Sequence, residues 1–217
     1  MNLTPAFAPL LTLLLALGTG TTALIGLAVP AAAAPTKAYS CPIPVDSQRV
    51  FRLAWVEPGQ SMRSGAVIVD GDHLAGERPT DDPAVAAAYL ALKTKYGVGA
   101  VVNLRSESAE DAQAAKQAGM RFLHLPIADG VAPTPAQVER FFAFYDAERA
   151  KKTVVLWHCA GGIGRTGVLA GMLRLRAGWS AEDAAREMFA MGLNHAQAVE
   201  HLPALNDFAQ GLGKAAW

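Results

Sequence analysis

The chain has 217 residues, and its 19 Lys plus Arg balance its 19 Asp plus Glu, so the formal net charge is zero. This balance gives no support for binding to nucleic acid or to an anionic membrane surface. The length suits one domain with a sizeable core behind a leader, and two cysteines are too few for a disulfide scaffold.

The N-terminal segment has the composition of an export signal. No charged side chain occurs before Lys37, and residues 6–29 are rich in Leu, Ala, Thr and Gly. Because the small residues 31–34 end this apolar stretch, we expect residues 1–34 to be a signal peptide and the protein to be periplasmic or secreted. The alternative is an uncleaved membrane anchor at residues 6–29, since the stretch is long for a signal peptide.

The remaining chain alternates between strand and helix patterns. Residues 35–48 contain several prolines and predict an extended segment, followed by one domain over 49–217. We expect a turn at 62–65 and a polar loop or small insertion over 70–83. The predicted strands are residues 50–56, 100–105, 120–127 and 153–157. The predicted helices are residues 83–96, 108–118, 134–150, 166–177, 180–192 and 196–212. This alternation predicts an α/β fold with a mostly parallel central sheet flanked by helices, and ligands at the carboxyl ends of its strands.

The stretch from His158 to Gly167 reads His-Cys-Ala-Gly-Gly-Ile-Gly-Arg-Thr-Gly, between a predicted buried strand and a predicted helix. Its glycines let successive backbone amides point into one cavity at a helix N-terminus, which is a binding site for an anion such as phosphate. Arg165 can grip two phosphate oxygens, and the same positive field should stabilise a thiolate at Cys159. A thiolate beneath a bound phosphate is a nucleophile directed at phosphorus.

These residues resemble the signature of the cysteine-based protein tyrosine and dual-specificity phosphatases. The positions that carry the resemblance are His158, Cys159, Gly162, Arg165 and Thr166. Residues 62–65 are similar to a turn in compact phosphatases of that superfamily, and residues 101–105 are similar to the core strand of its dual-specificity group. The resemblance is therefore to a compact, dual-specificity-like, bacterial-type branch. The resemblance implies a protein tyrosine phosphatase-like fold and hydrolysis of phosphomonoesters through a phosphocysteine intermediate, with no metal and no cofactor.

Expulsion of an alkoxide or phenoxide requires a general acid, and Asp129 is our candidate because it follows the predicted strand 120–127 on a loop. A loop aspartate at this position is the acid in the resembled family. Cys159 would attack phosphorus and Arg165 would hold the phosphate oxygens, while Thr166 would donate its hydroxyl to the sulfur and His158 would orient the loop. The predicted phosphate-binding loop consists of Ala160, Gly161, Gly162, Ile163 and Gly164.

The loop has no Lys or further Arg, which favours a substrate with one phosphate: a phosphorylated protein, above all phosphotyrosine with possible dual specificity, or a small phosphomonoester. An alternative is a phosphoinositide or inositol phosphate phosphatase that uses Arg63 or Arg105 for additional phosphates. A silent phospho-binding module and a rhodanese-like or arsenate-handling protein are disfavoured by the joint presence of Cys159, Arg165 and Asp129. We also consider a reversible disulfide between Cys41 and Cys159.

Overall fold

The computed structural model describes residues 38–43, 52–66, 68–70, 73–74, 83–109 and 111–215. The expected signal peptide or anchor over 1–34 lies outside the described residues, as does most of the segment 35–48. Among the helices of the described part, none is long and apolar enough to cross a membrane.

A six-stranded sheet forms the centre of the described domain. Its strand order is β1-β2-β3-β8-β6-β7, and β4 pairs with β5 in a separate antiparallel pair. The strands are β1 Cys41–Pro42, β2 Ala54–Glu57, β3 Ser61–Ser64, β4 Ile68–Asp70, β5 His73–Leu74, β6 Val98–Arg105, β7 Arg121–Ile127 and β8 Val154–His158. β1, β2 and β3 are antiparallel, whereas β3, β8, β6 and β7 run parallel. The predicted α/β class with a mostly parallel sheet is confirmed.

Six helices of the described residues flank the sheet. They are α1 Pro83–Tyr96, α2 Asp111–Gln117, α3 Pro135–Ala150, α4 Gly164–Arg176, α5 Ala181–Ala190 and α6 His195–Gly211. The start of α3 follows from its sequence: Thr134 and Gln137 form a reciprocal capping box, and Pro135 occupies the first turn. These bounds confirm the predicted helices to within a few residues, apart from α2.

Apolar packing covers both faces of the sheet. Trp157 on β8 is fully buried and packs edge-on against Phe141 of α3, with ring centroids 5.5 Å apart. A second apolar cluster joins Tyr89 of α1 to Val101 of β6 on the other face. All five residues of β8 are buried, so the central strand lies where the two clusters meet. This strand delivers His158 and Cys159 to the carboxyl edge of the sheet.

Two sequence-based interpretations of local structure are wrong. Residues 62–64 are not a turn: they belong to β3, and Met62, Arg63 and Ser64 are buried by parallel pairing with β8. Of the predicted loop or small insertion over 70–83, the described residues 73–74 form strand β5, and most of the rest lies outside the described residues. Helix α2 begins at Asp111 and not near Ser108, because the Asp111 carboxylate accepts hydrogen bonds from Tyr89 and Asn103, which tie the start of the helix to the core.

Candidate active site

The loop after β8 curls around the sulfur of Cys159, whose side chain is buried. The backbone N–H of Gly162 donates to Sγ at 3.2 Å. Gly162 has φ +72°, and a Cβ there would lie 2.5 Å from the backbone nitrogen of Gly65. Only glycine fits both the positive φ and this close approach of two backbones. The loop therefore has the curl that the sequence predicts, with α4 beginning at Gly164.

Arg165 joins three elements at the carboxyl edge of the sheet. Its Nη1 and Nη2 donate to the two carboxylate oxygens of Glu107 at 2.8 and 3.0 Å. Nη1 also donates to the backbone carbonyl of Ile127 at 3.0 Å, and Nη2 lies 2.8 Å from Oδ1 of Asp129. Nε is buried and has no hydrogen-bond partner among the described residues. Both Nη atoms of the guanidinium are thus engaged by acceptors of the protein, which fix Arg165 at this edge of the sheet.

The charges of this cluster reinforce one another. Hydrogen bonds from Arg165 lower the pKa of Glu107 from its ordinary 4.5 to about 2. Burial by itself would lower the pKa of Arg165, but hydrogen bonds to Glu107 and the nearby Cys159 and Asp129 outweigh it and raise that pKa. Glu107 is therefore an anion and Arg165 a cation across the physiological range.

Asp129 lies two residues beyond the end of β7, and its side chain is 85% exposed while it pairs with Arg165. The parallel strands β7 and β8 end at the same edge of the sheet, which brings the predicted acid close to the predicted phosphate-binding loop. This exposed carboxylate can reach the leaving group of a substrate held in the loop. The structure thus brings Cys159, Arg165 and Asp129 together.

The other two candidate residues lie beneath the loop. His158 is 1% exposed, with Nε2 2.9 Å from Oδ2 of Asp111 and Nδ1 3.3 Å from the carbonyl oxygen of Cys159. Thr166 is fully buried, and its hydroxyl donates to the carbonyl oxygen of Ser64 at 3.3 Å. We expected that hydroxyl to donate to the cysteine sulfur. Instead the sulfur accepts from the loop backbone, because α4 directs Thr166 towards β3.

Sequence reasoning missed two residues that support the loop. Glu107 follows the end of β6 by two residues, and its position at the carboxyl edge was the one signal that could have found it. Arg63 was considered as part of a turn and as a ligand for additional phosphates. It is instead 1% exposed, and its Nη2 donates to the carbonyl of Gly162 at 2.8 Å. Burial lowers the pKa of Arg63 to about 10. Arg63 braces the loop from β3.

A disulfide between Cys41 and Cys159 is incompatible with the sheet. Cys41 is exposed on β1, and three inter-strand spacings separate β1 from β8. At about 4.8 Å per spacing the two strands are ~14 Å apart, whereas disulfide-bonded residues have Cα atoms within about 7 Å. The proposed redox pairing is wrong for this fold. Among the described residues, no cluster of His, Cys, Asp and Glu could hold a metal ion.

Comparison with known families gives one match. Residues 75–178 match the family described as "Polymorphic toxin system, DSP-PTPase phosphatase". This region includes the whole of the strand, loop and helix that carry Cys159 and Arg165, together with Glu107 and Asp129. No curated protein matches the chain in sequence.

Solved phosphatase structures share the fold. TpbA of P. aeruginosa is 21% identical, with a TM-score of 0.58 over 82% of this chain and 99% of that one. A Cys-to-Ser variant of TpbA was solved in complex with pTyr. Tk-PTP in its active form is 20% identical, with a TM-score of 0.56 over 73% and 96% of the two chains. PTPMT1 in complex with PI(5)P is 16% identical, with a TM-score of 0.55 over 73% and 94%.

Proposed function

The chain belongs to the cysteine-based protein tyrosine phosphatase superfamily, in its dual-specificity-like branch, and on that premise we propose that it hydrolyses phosphotyrosine through a phosphocysteine intermediate. One observation carries this proposal: Cys159, the buried Arg165 and the exposed Asp129 meet at one edge of the sheet. A nucleophile, an anion clamp and a proton donor are thereby within reach of one phosphate ester.

The first step forms a bond between sulfur and phosphorus. The thiolate of Cys159 attacks the phosphoryl group, and the bond from phosphorus to the ester oxygen breaks. Asp129 gives its proton to that oxygen, so the alcohol leaves neutral. Arg165 and the loop amides hold the three equatorial oxygens while their charge redistributes.

The second step hydrolyses the phosphocysteine. Asp129, now a carboxylate, removes a proton from a water molecule that attacks phosphorus. The bond from sulfur to phosphorus breaks, and Cys159 leaves as the thiolate with which it began. The N–H of Gly162, which donates to Sγ at 3.2 Å, stabilises the departing sulfur. In this scheme Thr166 secures the loop against β3, and the backbone performs the role that we predicted for its hydroxyl.

The charges around the loop favour a substrate with a single phosphate. The partly exposed side chains at its rim include the carboxylates of Glu107 and Asp129, which repel a second phosphate. Arg63 and Arg105 are 1% and 5% exposed, so neither extends from the surface to bind one. A phosphoinositide or inositol phosphate would therefore lack the basic residues that we considered for it. The TpbA variant bound to pTyr provides a precedent on the same fold.

The proposal is tested with a panel of phosphorylated substrates. Phosphotyrosine, phosphoserine and phosphothreonine peptides are compared with soluble inositol phosphates and PI(5)P, in buffer containing a chelator. We expect the highest kcat/KM on phosphotyrosine and inhibition by vanadate. Cys159→Ser should remove turnover and keep phosphopeptide binding. Turnover by Cys159→Ser, or a clear preference for inositol phosphates, would contradict the proposal.

We also propose that the protein is exported. The uncharged N-terminal sequence before Lys37 supports this, as does the polymorphic toxin family that the domain matches. N-terminal sequencing of protein from fractionated cells should find a mature chain that begins near residue 35 outside the cytoplasm. Full-length chain in the membrane fraction would instead support the anchor at residues 6–29.

A further inference from the structure

Under the phosphate-binding loop, on the side of β3, lies a buried guanidinium that is only partly hydrogen-bonded. Arg63 is 1% exposed, and its Nη2 donates to the carbonyl of Gly162 at 2.8 Å. Its Nε and Nη1 are buried and have no hydrogen-bond partner among the described residues. A buried charge is costly unless an opposite charge compensates it, so the brace under the loop depends on where that compensation comes from.

The compensating charge lies on α5. A Cβ on Gly167 would lie 3.3 Å from Nη2 of Arg63 and 4.0 Å from the side chain of Met188, so α5 packs close to Arg63. Glu187, the neighbour of Met188 in the chain, is 1% exposed. Burial lowers the pKa of Arg63 to about 10, and the charge of Glu187 is the strongest influence that opposes this effect. The carboxylate of Glu187 is therefore the main counter-charge of Arg63.

Glu187 is held in place by two partners. Arg174 of α4 donates to its two oxygens, through Nε at 2.9 Å and through Nη2 at 3.0 Å. Ser40, just before β1, donates to Oε1 through its backbone N–H and through its hydroxyl, the latter at 2.8 Å. Burial alone would raise the pKa of Glu187, but the hydrogen bonds from Arg174 and Ser40 outweigh it and lower that pKa. The carboxylate is therefore charged.

The chain just before β1 is fastened to the same place by further contacts. The carbonyl of Ala38 accepts a hydrogen bond from Nη2 of Arg174 at 3.1 Å. The guanidinium of Arg174 lies over the ring of Trp179, 4.6 Å from its centroid, and the ring of Tyr39 packs against Trp179 at 5.9 Å. This part of the chain thus covers the ion pair of Arg174 and Glu187, which are 6% and 1% exposed.

We propose that Glu187 is a positioning residue that compensates the charge of Arg63 and so keeps Arg63 against the carbonyl of Gly162. Ser40 holds the carboxylate in place, so the chain before β1 also supports the site. The inference deepens the proposed function, on which it rests for the role of the loop. Glu187 does not touch the substrate and acts through Arg63. Ser40, Arg63 and Glu187 all lie outside the region 75–178 that matches the phosphatase family.

Other cations face Arg63 and remain when Glu187 is changed. The charges of Arg174 and Arg52 both act against that of Arg63. Glu187→Gln keeps the shape of the side chain but removes its charge, so the buried cations then repel one another without compensation. Arg63 should withdraw from Gly162, and the loop should lose its fixed curl.

The backbone amide signal of Gly162 in NMR tests the geometry of the loop without any ligand. This signal should move in Glu187→Gln and move less in Ser40→Ala, which removes only a hydroxyl and gives the same test should Glu187→Gln not fold. Glu148→Gln is the matched control, because that carboxylate is also 1% exposed but pairs with Lys151 at the end of α3. A signal that is unmoved in Glu187→Gln and Ser40→Ala, or moved as far in Glu148→Gln, would overturn the proposal.

Binding of vanadate, measured by calorimetry, tests the consequence for the site. Its dissociation constant should rise about tenfold in Glu187→Gln and about threefold in Ser40→Ala. It should keep the wild-type value in Glu148→Gln and in Cys41→Ala, which changes the exposed neighbour of Ser40. Wild-type affinity for vanadate in folded Glu187→Gln would overturn the proposal.

A double-mutant cycle tests whether Glu187 acts through Arg63. The brace is absent in Arg63→Met, so adding Glu187→Gln should weaken vanadate binding by less than about twofold further. A further loss of about tenfold would show another route and overturn the proposal. Failure of the proposed function has a different signature: no phosphomonoester would be hydrolysed, although the Gly162 signal and the vanadate affinities changed as expected.

Discussion

The carboxylate of Glu107 sets the orientation of Arg165, and replacing it with the amide of similar shape isolates the contribution of its charge. In Glu107→Gln the amide oxygen can accept one hydrogen bond from Arg165, but the amide NH₂ faces the other Nη. One of the two bonds at 2.8 and 3.0 Å is therefore lost. We expect both the stability and the activity of the protein to fall.

The size of the stability loss follows from the pKa of Glu107. A pKa lowered from 4.5 to about 2 corresponds to at most about 3.4 kcal/mol. The side chain is 38% exposed, so solvent screening reduces this to about 1–2 kcal/mol. Because the pKa in the folded state is lowered, the contribution is complete above about pH 4.5 and disappears as the pH falls through about 2.

Urea unfolding followed by tryptophan fluorescence measures this difference, since Trp157 is buried in the core. The difference in free energy of unfolding between the wild type and Glu107→Gln should be largest at pH 7 and clearly smaller near pH 3.5. Asp146→Asn is the control. The carboxylate of Asp146 pairs with Arg176 at 2.9 Å on the surface, so it should contribute less than about 1 kcal/mol to the free energy of unfolding.

The same variant should lose roughly 10- to 100-fold in kcat/KM, because a guanidinium that Glu107 no longer holds in place binds the phosphate less well. Wild-type stability and wild-type kcat/KM in Glu107→Gln would refute the reasoning. Equal destabilisation at both pH values would assign the loss to packing instead of charge.

Three further predictions address the acid, the clamp and the start of α4. Asp129→Ala should slow alkyl phosphates by ~100-fold or more but activated aryl phosphates much less, and equal losses in steady-state kinetics would remove Asp129 from the acid role. Arg165→Lys should lose at least ~100-fold in kcat/KM and weaken vanadate binding, because an ammonium cannot reproduce the forked contacts with Glu107, Ile127 and Asp129 that hold the cation at the loop. Unchanged vanadate inhibition would contradict this. Gly164→Ala should lower the free energy of unfolding, measured by thermal unfolding, by about 1–3 kcal/mol, because its Cβ would lie 2.4 Å from Nε2 of the buried His201. Gly161→Ala is the control and should be tolerated, because a Cβ there would have nothing within 4 Å. Equal stabilities of the two variants would contradict the packing described.

The parts of the site that are contiguous in sequence could be predicted from it. Cys159 and Arg165 lie on one local strand–loop–helix segment, so their proximity requires no knowledge of tertiary structure. Asp129 could be placed beside them because β7 and β8 are parallel and end at the same edge. Strand and helix periodicity likewise predicted the α/β class.

The residues that sequence reasoning missed depend on contacts between distant elements. Asp111 has the pattern of an acid in the first turn of a helix, and only the packing of α2 against α1 and β7 places its carboxylate near His158. The Arg-Ser pair at 63–64 is typical of a turn, but pairing with β8 buries it as a strand. Thr166 was placed correctly beside the loop, yet the direction of its hydroxyl is set by the rotation of α4, which no local pattern specifies.

Trapping the covalent intermediate tests the central claim most directly. Protein mixed with an aryl phosphate is quenched in acid within the first turnover, digested, and examined by mass spectrometry. The account predicts a peptide containing Cys159 that is heavier by one phosphoryl group, and no such peptide in Cys159→Ser. Rapid release of phosphate by the wild type with no phosphoryl group on Cys159, or with the group on another residue, would contradict it.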